Sequence, residues 1–485
     1  MKHLVSAFTF FLLFLVSFTN LSAENDGHHI VCELKGVEEN TKIQLGYHQG
    51  KNKLLQDTAR VKDGKVVFSD TAKLPRGLYL VIIPGKSYFD IVVSDDQEFT
   101  FKVNLDSEPV LNSIKFKGSE ENEDYYDLLS SKGPLNKELS IKGDQYLADS
   151  CSKDTSSACK ILKQEYLDLK EKVNEIELEY IEEHPAYLSS KMINLLHDSF
   201  TPEFKEIEDE DKRAAKRYYY YKKHFFDNVD FKEEGLVRTP LFEGKVDEYF
   251  DGNLIVKTCD STIKEIDDVI AKVDDYQMFR YLTTHLYSKY SKSKLMCFDC
   301  INLHFYQNYF LKDERVDWYN EDQIKSIQKE SWKLEHNQCG NKAFPLTLED
   351  TTGTAYDLYK VDSKYTVLYF WSATCGHCKK ATPKLQTLYE EIKDVYDMEV
   401  YSVCIDSEDL DPFKDFIKKY NFTWLNLLGS TAGSESYRTA YNVFSTPTIY
   451  IVDKEKKIIA KKLGVNDIKD FLQKYDNLEK NKSQE

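Results

Sequence analysis

The chain has 485 residues, 41% of them apolar and 13% aromatic, and carries a formal charge of −17 from 82 acidic and 65 basic side chains. One hydrophobic core rarely organises more than about 250 residues, so several domains are expected, and this much apolar surface excludes wholesale disorder. The acidic excess excludes a nucleic-acid or anionic-membrane partner, because both require a basic surface.

Lys2 and His3, an apolar run from Leu4 to Phe18 and the small-residue site Leu21-Ser22-Ala23 predict a signal peptide over 1–23, cleaved after Ala23. The run is short for a bilayer of about 30 Å, which makes a retained anchor the weaker reading. No cysteine lies near the cleavage site to accept a lipid, and no later stretch approaches membrane length. An exported protein follows, with no integral membrane segment after cleavage.

Residues 24–120 predict a β-rich domain. Short alternating runs such as Lys42–Tyr47, Lys65–Phe68 and Gly77–Ile82 are separated by turn signals such as Asp63-Gly64 and Pro84-Gly85, the pattern of an antiparallel β-sandwich. Nothing in it has a catalytic arrangement. Residues 121–335 switch to helical spacing: Leu162, Tyr166, Leu169, Val173, Ile176 and Tyr180 recur at three or four positions until Pro185 ends the helix. Further helices are expected near 187–197, 213–226, 263–272, 276–290 and 298–311. Residues 336–478 return to alternating strands and helices, an α/β domain, and 479–485 read as a disordered Lys/Glu-rich tail.

In that last domain the buried run Tyr365–Trp371 leads into Ser372-Ala373-Thr374-Cys375-Gly376-His377-Cys378, after which a helix is expected to about Lys393. A cysteine at a helix start meets free N–H groups and the positive end of the helix dipole, which stabilise its thiolate. A second cysteine one turn later is shielded yet within reach. His377 between them, when protonated, would also favour the thiolate.

This segment resembles the active site of thioredoxin-fold proteins, especially the TlpA-like extracytoplasmic branch of thiol-disulfide oxidoreductases. Pro383 matches the family's proline in the active helix, and Thr446-Pro447 matches its cis-proline position. The resemblance spans about residues 340–478. It implies Cys375 as nucleophile, Cys378 as resolving thiol, the two forming a redox-active disulfide, with Trp371, Thr446 and Pro447 contacting substrate. Protein thiols and disulfides would be the substrates, no cofactor is implied, and a membrane or periplasmic electron donor would serve as partner. The upstream segments are similar to the β-domain and helical spacer that precede such domains in secreted proteins of Gram-negative bacteria, which implies the periplasm or cell envelope. The positions of thioredoxin's buried acid and lysine are Tyr369 and Ser402 here, so its proton relay is not carried over. Gly376-His377 is like the dipeptide of disulfide isomerases, which are less reducing than thioredoxin.

The other cysteines allow several readings. Cys151 and Cys159 flank a polar loop and suit a structural bridge. Cys297, Cys300, His336 and Cys339 have the ligand types of a zinc site, but their separations also suit disulfides. Cys404 reads as a buried small hydrophobe, while Cys32 and Cys259 have no evident partner. Thiol-disulfide exchange is the expected activity, in a reductase, isomerase or oxidase direction; a cell-envelope scaffold with a merely responsive redox pair is the alternative.

Overall fold

The computed structural model describes residues 27–147, 157–406, 410–432 and 436–482; the expected signal over 1–23 and Cys151 lie outside them. The chain divides into two compact units, Met1–Glu248 and Tyr249–Glu485, so the helical stretch expected over 121–335 is shared between both.

The first unit opens with two four-stranded sheets. One has the order Lys65–Asp70, His28–Lys35, Glu98–Asn104, Lys115–Lys117; the other runs Asn52–Arg60, Lys42–Gln49, Gly77–Ile83, Ser87–Val93. Side chains alternate along a strand, so Val66 and Phe68 are buried while their neighbours are exposed. Ile30, Phe68 and Phe101 of one sheet and Ile43, Val81 and Ile91 of the other share a single core. One pairing departs from the antiparallel expectation: His28–Lys35 lies parallel to Glu98–Asn104. Parallel neighbours need a long connection, and residues 36–97, which hold the whole second sheet and the strand Lys65–Asp70, supply it. Cys32 is buried in this core as a free thiol. The helix Glu120–Leu147 follows, passing through Gly133 and Pro134, and stacks Tyr146 on Tyr166 of the helix Ser157–Glu183.

The second unit begins with helices that include Cys259–Ile270, Tyr276–Ser291 and Glu321–His336, and ends in a seven-stranded mixed sheet. The strand order is Ala355–Asp357, Thr347–Asp350, Leu425–Leu428, Met398–Cys404, Tyr365–Trp371, Thr448–Val452, Ile458–Lys461. Every residue of the central strand Tyr365–Trp371 is buried, as a strand covered on both faces requires. Tyr365, Val367, Tyr369 and Trp371 face a core shared with the helices Gly376–Tyr396 and Ile468–Lys482, while Leu368 and Phe370 face another containing Tyr437 and Tyr441. The last helix reaches Lys482 and carries a Lys480–Asp476 ion pair, so residues 479–482 are helical where a disordered tail was expected.

Two disulfides decide between the readings of the middle cysteines. Cys259 bonds to Cys300, and Cys297 to Cys339. Zinc ligation requires free thiolates, so the bridged sulfurs exclude a zinc site, and His336 Nδ1 lies 2.7 Å from the Trp332 carbonyl. Cys297 and Cys300 are near in sequence yet bond to different partners, which their spacing alone could not reveal.

Candidate functional site

Cys375 and Cys378 are free thiols just beyond the C-terminal end of the central strand Tyr365–Trp371. Cys375 is the N-cap of the helix Gly376–Tyr396, in extended backbone geometry, and is half-buried; Cys378 is fully buried one turn later. The preceding loop is tied down locally. Ser372 Oγ accepts the backbone N–H groups of Thr374 (3.2 Å) and Cys375 (3.1 Å), and both the Ser372 and Thr374 hydroxyls donate to the Asp406 carboxylate. Ser372, three residues before Cys375, is legible as a local capping hydroxyl. Asp406 carries no such signal, because only the pairing of Tyr365–Trp371 with Met398–Cys404 brings it near.

Facing the pair is Thr446-Pro447, joined by a cis peptide bond. The Cys375 thiol donates to the Thr446 carbonyl at 3.4 Å. As a thiolate it is stabilised first by hydrogen bonding from the Thr446 side chain, is opposed next by burial, and is then further stabilised by the Cys378 backbone N–H, the Cys378 thiol and the His377 backbone N–H. The Cys375 thiol is thereby drawn down to about 7. Burial dominates at Cys378 and pushes its thiol up to about 11. Two thiols three residues apart thus differ in both respects, Cys375 half-buried and lowered, Cys378 buried and raised. Because a lowered thiol ionises as pH rises, alkylation of the reduced chain by iodoacetamide is expected to accelerate through a midpoint near pH 7 and to modify Cys375 but not Cys378. A midpoint near the free-cysteine value of about 8.5, or equal labelling of both, would contradict this arrangement.

The structure places the other expected residues differently. Trp371 is not at the surface: it is fully buried, its indole N–H donates to Ser402 Oγ at 2.7 Å, and its ring packs on Phe413, Phe416 and Phe422. Its role is therefore packing beneath the site, not contact with substrate. His377 lowers the Cys375 thiol through its backbone N–H. Its exposed ring instead lines a groove with Lys380, Thr446 and Pro447. Tyr369 and Ser402 are register partners in the central sheet. Tyr369 is buried with its hydroxyl 2.7 Å from Thr382 Oγ1, which donates to the Cys378 carbonyl at 2.8 Å. A hydroxyl pair thus supports the helix turn where thioredoxin has a carboxylate. Cys404 is a free thiol, fully buried, and pushed up to about 11 by burial.

Comparison with known proteins agrees with this geometry. Residues 339–461 match the AhpC/TSA family, and two upstream segments, 28–125 and 190–332, match domains of unknown function, DUF4369 and DUF5106. A thioredoxin-like protein of Haemophilus influenzae is 33% identical over 114 residues, covering 23% of this chain and 62% of that protein. The thiol-disulfide oxidoreductase ResA of Bacillus cereus is 27% identical over 131 residues, 27% of this chain and 72% of that one. A solved domain of a possible thiol-disulfide isomerase from Cytophaga hutchinsonii is 36% identical, covering 30% of this chain and 97% of that domain, with a TM-score of 0.28. The chain therefore spans less than two thirds of the Haemophilus relative, and the three similarities fall on 23–30% of its own length. The C-terminal residues 339–461 are therefore an AhpC/TSA thioredoxin-like domain.

Proposed function

We propose that the chain is an exported thiol-disulfide oxidoreductase acting on protein substrates through Cys375 and Cys378. The observation that carries this reading is the opposed preparation of the two thiols, one lowered and half-exposed and one raised and buried, beside Thr446-Pro447. In the reducing direction the Cys375 thiolate attacks a substrate disulfide, forming a mixed disulfide and releasing one substrate thiolate. Cys378 then attacks the Cys375 sulfur. The second substrate thiolate leaves, and as the strongest base released at the site it takes up the Cys378 proton. The protein has lost two electrons and holds a Cys375–Cys378 disulfide; the substrate has gained two thiols. A thiol donor, membrane-bound or periplasmic, returns the pair to its reduced form, and the steps reversed give oxidation. The full chain should therefore reduce insulin disulfides in the presence of dithiothreitol, whereas a scaffold with a merely responsive pair would show no turnover above the uncatalysed rate.

Export is supported by two disulfides remote from the site, since such bridges persist in oxidising compartments, and by the signal-like residues 1–23. Among the described residues no helix is long and apolar enough to cross a membrane. Intact-mass measurement of the cell-derived protein is expected to begin it at Glu24. A mass retaining Met1 or carrying a lipid would overturn the proposed cleavage.

A further inference from the structure

Along the helix Gly376–Tyr396, positions 377, 380 and 384 fall on one stripe, because residues three, four and seven apart share a helical face. His377, Lys380 and Lys384 form one wall of a groove of about 540 Å³; Thr446 and Pro447 face them, and Lys462 enters from the loop after Ile458–Lys461. All three lysines are exposed, and among the described residues none has a carboxylate within ion-pair distance. Asp467 is the one acid lining the groove. Such a basic groove stands out on a chain of charge −17.

The lysines also run against the helix. A helix N-terminus favours acids, and the helices Glu120–Leu147, Glu210–His224 and Glu321–His336 each place two or three there. The helix bearing the reactive thiol has none in its first turn, as is also true of Ser157–Glu183 and Tyr276–Ser291, and carries lysines at 379, 380 and 384 along its first two and a half turns. The groove offers more than charge: Ala381, Ile449 and Leu463 give it apolar floor, and Phe444, 67% exposed, lines the adjoining hollow that shares Pro447 and Lys462. Backbone, apolar and cationic elements together fit a length of polypeptide better than a small anion.

We infer that the groove beside Cys375 selects protein disulfides whose cysteines are flanked by acidic residues, with Lys380, Lys384 and Lys462 as the specificity-determining side chains. This rests on the proposed thiol-disulfide exchange and specifies its substrate class. In the test, the pre-reduced full chain is offered two disulfide-bonded peptides that differ only in carrying Glu or Lys beside the cysteines, and single-turnover reduction is followed by separating the products. The Glu peptide is expected to react about tenfold faster at low salt, the advantage shrinking toward parity near about 0.5 M NaCl. The variant Lys380→Glu/Lys384→Glu should reverse the order of the two peptides. It should do so with little change in melting temperature, because both side chains are exposed. Taking the ratio of the two peptides cancels any change in Cys375 itself, and Lys462→Glu, on a separate loop, gives the same reading should the double variant fail to fold. Equal rates for both peptides in the unaltered chain, or a ratio that charge reversal leaves alone, would overturn the inference. Reduction of neither peptide by the unaltered chain would overturn the exchange activity itself, and the inference with it.

Discussion

Cys375→Ser is expected to lower insulin reduction by at least about a thousandfold, to the uncatalysed background, while the fold is retained. The thiol is drawn down to about 7 and is half ionised near neutrality. A serine hydroxyl in the same place remains protonated, and an oxygen cannot form the mixed disulfide through which exchange proceeds. The side chain is half-buried at a helix N-cap, a position where serine is favoured, so circular dichroism and melting temperature should scarcely change. Substantial insulin reduction by this variant would remove Cys375 from the nucleophile's role.

The second large effect concerns Cys378. In Cys378→Ala the attacking thiolate remains and nothing adjacent can resolve what it forms, so covalent complexes between Cys375 and substrate should accumulate and dissolve on addition of thiol. Alanine suits this test, because Cys378 is fully buried in an apolar core and a methyl side chain brings no new polar group into it. Cys297 and Cys300 are occupied in disulfides. The remaining nearby free thiol, Cys404, is buried and raised to about 11. Normal turnover without trapped complexes would therefore point to Cys404 as a resolving thiol, to be checked with the Cys378→Ala/Cys404→Ala double variant.

Much of the C-terminal domain was legible because its signals are local. A seven-residue apolar run can hardly be other than a central strand, and a Cys-x-x-Cys directly after it belongs to a helix start. The same run held the clue to Trp371: a strand buried on both faces has no outward side, so its last residue was more consistent with packing than with substrate contact. Gly133 and Pro134 are breaker signals, yet the helix Glu120–Leu147 runs through them, since packing against a long neighbouring helix outweighs local propensity. The short strand Leu425–Leu428 has too few residues for a visible period and exists because Met398–Cys404 offers it a parallel edge.

Thiol position relative to a helix start, the extended run beneath it and the proline that follows are encoded within a few residues, and local order alone determined them. Tertiary structure decided which cysteines bond to which, because bridges between residues 41 and 42 apart in sequence depend on where helices and sheet meet. It also brought the Asp406 carboxylate to the Ser372 loop and the Thr446 carbonyl to the Cys375 sulfur. Those contacts join segments 34 and 71 residues apart, and only the register of neighbouring strands, a property of the whole sheet, sets such distances.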